Sequence, residues 1–384
     1  MTRVDILGAI VISAVTSFLA TPFLMMPLAK WLDIMDHPSV KKVHSHPTPL
    51  LGGLAIFVAF FLALSLTVRA DNELIGTLVG GAAVMVIGII DDKFGMLPRV
   101  KLAGQFLASA MTVLMGVHVA FIKTPLLSMI FTCFWLVAVT NAFNLLDNIN
   151  GLCAGVSAIS GFFFGVLAFI HSDMMIAVVS FALMGSCLGF LPYNFLRKAK
   201  IFMGDAGSLF LGYILASIAV AGSWKTSSVT TSLAIPILIL GYPIFDITLV
   251  TITRLIEGRP ISRGGKDHSS HRLAIVIIES IRGTRKRERS VGKQDMLKDT
   301  LVDFMKGLRT KGNDRSMNRL AMLGFKNRRA VLLLYLMSFS LGSAALAMTV
   351  MGKYFDWTIM IISFILLFLF GIRLARVSIL SPKR

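Results

Sequence analysis

Carboxylates and amides recur in this chain at the ends of apolar stretches, where they could hold a hard cation against an anionic ligand. Asp91 and Asp92 close one such stretch in Gly88-Ile89-Ile90-Asp91-Asp92-Lys93, with Arg99 and Lys101 ahead of the next. Adjacent acids at a helix C-terminus oppose the helix dipole, so they require a cation, a metal or a bound substrate. Solvated acids offset by Lys93 are the plainer alternative. A second run, Asn141-Ala142-Phe143-Asn144-Leu145-Leu146-Asp147-Asn148-Ile149-Asn150-Gly151-Leu152, sets four asparagines and Asp147 among apolar residues. Asn141, Asn144 and Asn148 recur at helical spacing, so a helix continuing through them would show them on one face. Amide oxygens suit Mg²⁺ and amides also read nucleobase edges, with interhelical hydrogen bonding as the structural alternative. In Phe202-Met203-Gly204-Asp205-Ala206-Gly207-Ser208, Asp205 stands at a helix start, either as an ordinary N-cap or within reach of a metal-bound phosphate.

Two further loops carry bases and histidines. The first, Asp36 to Pro49, holds Lys41, Lys42, His44 and His46 before Gly52-Gly53, whose lack of side chains would let the backbone approach a ligand closely. A positive anchor with a proline-stiffened turn is the alternative. The second, Arg259 to Leu273, sets Lys266, Asp267, His268, His271 and Arg272 around a glycine pair suited to wrapping a charged ligand. Zinc could use His268 and His271. No cysteine accompanies them and the other loops supply hard oxygens, which favours Mg²⁺, with the histidines on phosphate or sugar.

The elements that must position these residues are membrane helices. Of 384 residues 55% are hydrophobic and 15% charged, and the mean hydropathy is +0.78, too apolar for a water-soluble enzyme of this length. About 20 apolar residues cross a bilayer core as a helix. Eleven segments answer: 5–27, 50–68, 74–90, 102–118, 126–143, 152–170, 174–192, 206–222, 231–251, 330–351 and 356–373. The expected class is therefore all-α, a polytopic integral membrane protein. With the N-terminus outside, the outer face holds Arg3, Arg69, Lys123, Lys225 and Lys353, five of the 38 lysines and arginines, which leaves 33 inside. That asymmetry puts the C-terminus and the motif-bearing loops in the cytoplasm. It also explains the net charge of +18 without nucleic acid as a partner. The first segment has no small-residue cleavage site and reads as a retained span. Cys133, Cys153 and Cys187 fall in or beside spans without CxxC spacing and read as packing residues. The polar motifs gather on one side rather than at mid-membrane, which suits an interfacial enzyme better than a transporter or lipid flippase.

Taken in order, the motifs resemble those of the polyprenyl-phosphate N-acetylhexosamine-1-phosphate transferases, glycosyl transferase family 4. The set is His44-x-His46-Pro47-Thr48-Pro49-x-x-Gly52-Gly53, Asp91-Asp92, Asn141-x-x-Asn144-x-x-Asp147-x-x-Asn150-Gly151-Leu152, Phe202-Met203-Gly204-Asp205-x-Gly207-Ser208 and His268-x-x-His271-Arg272. The resemblance implies transfer of a sugar-1-phosphate from a UDP-sugar to undecaprenyl phosphate in the bacterial inner membrane, with Mg²⁺, or Mn²⁺ in its place. By position it implies metal ligation by Asp205 and Asn144, and an acid at Asp91, with Asp92 beside it, that deprotonates or orients the lipid phosphate. It further implies a phosphate contact at Lys101, uracil recognition at Asn150, and diphosphate or sugar contacts at His268 and His271. Lys42, His44, Asp147, Lys266 and Arg272 complete the expected substrate-binding set.

Asn148 replaces the glycine usual after the motif aspartate, and Ser270 replaces a histidine in the last motif. The second departure disfavours the phospho-MurNAc-pentapeptide branch and points to UDP-GlcNAc as donor, starting a cell-envelope glycan. A basic stretch at 275–320 is the largest departure. It divides a transferase core, 1–274, from the last two spans in 321–384. Met296, Leu297, Leu301, Phe304, Met305 and Leu308 recur there at helical spacing among Lys298, Lys306 and Arg309, as in an amphipathic helix lying on anionic lipid headgroups. Nothing in the sequence sets the oligomeric state, and a homodimer is compatible with it.

Overall fold

In lipid every backbone N–H and C=O must find its partner within the chain, so apolar stretches of this length have the helix as their open-ended solution. The computed structural model of the chain describes residues 3–37, 46–195, 199–222, 224, 229–256, 258, 273, 325–351 and 353–375. They form α1 (Arg3–Ala20), extended through a π-helical turn (Thr21–Met25) into α2 (Met26–Trp31), then α3 (Gly52–Thr67), α4 (Asn72–Phe94) and α5 (Pro98–Leu114). Next come α6 (Pro125–Leu146), α7 (Leu152–Ile170), α8 (Met174–Asn194) and α9 (Gly204–Ala221). The chain continues with α10 (Val229–Ile239), α11 (Gly241–Ile256), α12 (Phe325–Met351) and α13 (Lys353–Ala375).

Each of the eleven expected segments is helical, but they are not equal as membrane crossings. Among the described residues eight helices are long and apolar enough to span, and nine if the broken pair α10–α11 counts as one. That pair breaks at Leu240, because Pro243 has no amide for Ile239 and its ring crowds that carbonyl. At 16 residues α3 reaches only about 24 Å, short of a hydrocarbon core of about 30 Å. The first turn of α5 carries Arg99 and Lys101, and this helix is not among the eight. The basic insert expected at 275–320 lies outside the described residues.

Two compact units are present, Met1–Ile244 with Tyr335–Met360, and Phe245–Leu334 with Ile361–Arg384. Every described candidate site residue belongs to the first. Its centre is α9, in which every residue from Ala206 to Ile218 is buried. Small residues let the neighbouring helices close on it, as expected where lipid offers no hydrophobic drive and packing must hold helices together. A Cβ on Gly53 of α3 would lie 2.2 Å from the Gly207 Cα, and one on Gly88 of α4 would lie 2.4 Å from the Ala206 Cα. On another side Gly212 packs on Thr140 and Phe143 of α6. Phe210 of α9 meets Phe57 and Phe60 of α3 edge-on at 5.2 and 5.6 Å.

One small sheet departs from the all-helical expectation. Met35–Asp36 (β1) pairs antiparallel with Thr48–Pro49 (β2), and the chain beyond β2 then lies along the entry to α9. The Phe202 amide donates to the Pro49 carbonyl at 2.8 Å, and the Gly52 and Gly53 amides donate to the Phe202 and Met203 carbonyls at 3.0 and 2.9 Å. Gly52-Gly53, expected to let backbone near a ligand, instead lets α3 near the start of α9. These glycines therefore act on the site by setting the position of α9.

Gly53→Ala puts a methyl group against backbone that cannot yield without dragging Asp205. It should lower the apparent unfolding midpoint in detergent, at a cost of roughly 1–3 kcal/mol. The control is Gly8→Ala, where the added Cβ meets only the Thr67 methyl at 3.7 Å. That variant should hold or raise the midpoint, and equal effects at the two positions would contradict the packing argument.

Candidate functional site

Three helices bring their polar ends to the first turn of α9. The last turn of α4 supplies Asp91 and Asp92, the first turn of α5 supplies Lys101, and the last turn of α6 supplies Asn144. Asp92 accepts the Asp205 amide on Oδ1 at 2.9 Å and the Ala206 amide on Oδ2 at 3.1 Å. It therefore caps α9 from another helix, and the ordinary N-cap role open to Asp205 falls to Asp92. The conflict read from sequence, acids at the negative end of α4, is resolved here by the positive end of α9. Gly204 precedes the cap at φ +76°, and a Cβ there would lie 2.5 Å from Asp92 Oδ2, so a side chain is barred by conformation and by space.

Asp205 is thereby left with its carboxylate free of capping work. It accepts from Lys101 Nζ on Oδ2 and from Asn144 Nδ2 on Oδ1, the latter at 2.9 Å. Lys101 also pairs with Asp91 Oδ2 at 2.9 Å and donates to Asn144 Oδ1 at 3.2 Å. The Asn144 amide has no freedom to turn over: its Nδ2 serves Asp205 and the Ser208 hydroxyl, 2.9 Å away, while its oxygen must face the ammonium. Asp91 is braced by the Met96 amide at 2.7 Å, and its carboxylate comes within hydrogen-bonding reach of Asp205. Three hard oxygens from three helices thus converge on one cationic point. The Asp205 side chain is 36% exposed against 17% for Asp91, so Asp205 is the more open to an incoming ligand.

This donor set suits a hard divalent cation that keeps part of its shell for substrate. Among the described residues no three His, Cys, Asp or Glu side chains form a ready cage. Two carboxylates and an amide are instead the sparse protein share expected of Mg²⁺ bound together with phosphate and water. Taken alone, Asp91, Asp205 and Lys101 carry net negative charge, so a polyanion could enter only with added positive charge.

The α6–α7 turn lies beside this cluster. α6 ends at Leu146, so Asn141 and Asn144 share a helix while Asn148 sits in the turn, exposed, with its amide on the Leu145 carbonyl at 2.7 Å. The single face expected for all three asparagines is lost because the helix stops. Asn150, half-buried, is in the same turn. The Asp147 carboxylate lies near the Gly204 amide. Burial first, then the charges of Asp205 and Asp92, push its pKa well above the usual carboxylate value, against the pull of that amide.

Some positioning residues were not singled out from the sequence. Gln105, four residues after Lys101, accepts from Asn141 Nδ2 at 2.6 Å, a second rung beneath the Lys101–Asn144 contact. Its helical spacing from Lys101 was a usable signal. Asn194 is buried, accepts the Gly151 amide at 2.6 Å and donates to the Ile201 carbonyl at 3.0 Å, tying the turn to the approach to α9. Nothing local in its surroundings marks it. Lys42, His44, Lys266, His268, His271 and Arg272 lie outside the described residues.

Comparison with known proteins bears on the same stretch. Residues 74–223, which hold Asp91, Asp92, Lys101, Asn144, Asp147, Asn150 and Asp205, match the profile described as glycosyl transferase family 4. A Bacillus subtilis protein named as a probable undecaprenyl-phosphate N-acetylglucosaminyl 1-phosphate transferase is 37% identical, over 70% of this chain and 77% of its own. A Mycobacterium leprae decaprenyl-phosphate N-acetylglucosaminephosphotransferase is 33% identical, over 68% of this chain and 75% of its own. A Streptococcus pneumoniae phospho-N-acetylmuramoyl-pentapeptide-transferase is 34% identical over a shorter stretch, 48% of this chain and 63% of its own.

Because the folded chain binds the Asp147 proton more tightly than the unfolded chain, the stability linked to this group is complete below about pH 4 and is lost as pH rises through the folded value. Asp147→Asn keeps the size of the side chain and a polar oxygen, and removes the charge. In metal-free detergent it should raise the apparent unfolding midpoint at about pH 8 more than at about pH 5. A midpoint lowered more at the higher pH would contradict the sign.

Proposed function

The chain belongs to glycosyl transferase family 4, and we propose that it transfers GlcNAc-1-phosphate from UDP-GlcNAc to undecaprenyl phosphate, releasing UMP and starting a cell-envelope glycan. The observation that carries this reading is the convergence of Asp91, Asn144 and Asp205 on one cationic point at the mouth of a membrane-embedded helix. The Bacillus subtilis and Mycobacterium leprae relatives, matching 70% and 68% of this chain, carry N-acetylglucosamine-phosphate transferase names, whereas the pentapeptide-transferase match covers less than half.

In the proposed reaction an oxygen of the lipid phosphate attacks the sugar-bearing phosphorus of the donor, and the bond from that phosphorus to the oxygen retained by UMP breaks. Asp205 and Asn144 would hold Mg²⁺, with Asp91 close by. Bound there, the metal would supply positive charge to the crowded phosphates. The nucleophile is already anionic near neutral pH, so Asp91 acts chiefly by orientation, held by Lys101 and the Met96 amide. Lys101 is placed to exchange its carboxylate partners for a phosphate oxygen when a ligand enters. Asp92 acts indirectly, by fixing the first turn of α9. Asn150 would meet the uracil, with Asp147 behind it. His268, His271, Lys266, Arg272, Lys42 and His44 would enclose the diphosphate and sugar, a reading that rests on their motifs.

The site would face the cytoplasm from the bacterial inner membrane, a placement supported by the 33 of 38 basic residues on that side of the expected topology. The insert at 275–320 would rest on anionic headgroups.

Purified protein supplied with undecaprenyl phosphate and a panel of UDP-sugars should release UMP and yield a lipid of the expected mass with UDP-GlcNAc. Chelation should abolish turnover and Mg²⁺ restore it. Turnover only with UDP-MurNAc-pentapeptide would reverse the donor assignment. Asp205→Ala and Asn144→Ala should each lower kcat by about 100-fold or more, and His44→Ala by less. Equal losses in the three variants, at matched folding, would remove the metal-centred reading.

A further inference from the structure

The turn from Asp147 to Gly151 is fastened at its last residue from two sides, and one fastening comes from a helix that the site does not otherwise use. The Gly151 amide donates to Asn194 and the Tyr335 hydroxyl of α12 donates to the Gly151 carbonyl. Gly155 leaves room for this contact, since a Cβ there would lie 2.0 Å from the Tyr335 Oη. The Tyr335 ring lies beside that of Phe195, centroids 6.0 Å apart, and Phe195 fills the place that a Cβ on Gly151 would take. Both peptides flanking Gly151 are therefore held, one by Asn194 and one by Tyr335.

The consequence is a fixed spacing. Asn194 ties the turn to the approach to α9, where Asp205 stands, so Asn150 and Asp205 are held apart by a braced segment. A nucleotide-sugar must touch both ends of that segment at once, whereas a lipid phosphate needs only the Asp205 end. We infer that Tyr335 is a positioning residue for nucleotide recognition: by holding the Gly151 carbonyl it keeps the turn in the conformation that offers Asn150 to the base. This rests on the reading of Asn150 as the base contact. Tyr335 touches no substrate. It governs capture of the donor and leaves the acceptor unaffected.

The test uses the full chain in detergent with UDP-GlcNAc and undecaprenyl phosphate as the two varied substrates. Tyr335→Phe removes one hydroxyl and should raise the KM for UDP-GlcNAc roughly fivefold to tenfold, the scale of one lost hydrogen bond. Its kcat and its KM for undecaprenyl phosphate should stay within about twofold of the parent. Gly155→Ala, which displaces the hydroxyl, should give the same selective pattern, and if it fails to fold Tyr335→Phe decides alone. An unchanged donor KM in Tyr335→Phe, or an equal rise for both substrates, overturns the inference. Asn150→Ala separates the two levels. If it leaves the donor KM unaltered, the base-contact reading fails. If it raises that KM while Tyr335→Phe does not, the reading stands and the role of Tyr335 falls.

Discussion

The free amides at the start of α9 govern this structure. A helix buried along nearly its whole length must find partners for its first N–H groups, and inside a membrane protein water cannot be relied on to supply them. Asp92 takes two of them, reaching in from α4. The same contacts satisfy the helix, give partners to an acid that would otherwise stand unpaired, and fix α4 against α9. With the capping done by Asp92, Asp205 is free to turn its carboxylate toward Lys101 and Asn144. A structural requirement of one helix thus creates an available carboxylate at a defined point.

Charge balance gives that point its chemical character. Lys101 is shared by Asp91 and Asp205, and Asp92 and Asp147 add further acidity a few residues away. Such a cluster is poorly suited to binding polyphosphate by itself and well suited to doing so through a divalent cation, with Lys101 then released toward the anion. Burial first, and then repulsion from Asp205 and Asp92, raises the pKa of Asp147 in this arrangement. The second rung, Gln105 on Asn141, keeps α5 and α6 in register beneath the Lys101–Asn144 contact, so the helices that deliver the charges also limit their movement.

The sequence was most readable where a residue's type sufficed. Apolar runs gave the helices, and the spacing of acids, amides and the Gly-Asp-Ala-Gly-Ser run marked the residues that converge. It was less readable where a role depends on what lies across a gap. Gly52 and Gly53 looked like room for a ligand and proved to be room for the backbone of Phe202 and Met203. Asn148 shared a helical period with Asn141 and Asn144 but lost their face when α6 ended at Leu146. The lengths of α3 and the polarity of α5 made two segments weaker crossings than their hydropathy suggested.

Hydropathy, charge placement and motif order are properties of the chain read in one dimension, and they were enough to indicate a membrane-embedded helical fold, a polar site at one interface and the family to which it belongs. The division of labour inside that site is a property of distance. Asp91 and Asp92 are neighbours with the same side chain, yet one meets an ammonium and the other a helix terminus, because successive residues of α4 point in directions about 100° apart. Asn194 and Tyr335 reach a glycine 43 and 184 residues away, and no local pattern can announce such a contact. Hydrogen bonds act over about 3 Å, so which of many polar residues form them is settled only when the helices pack.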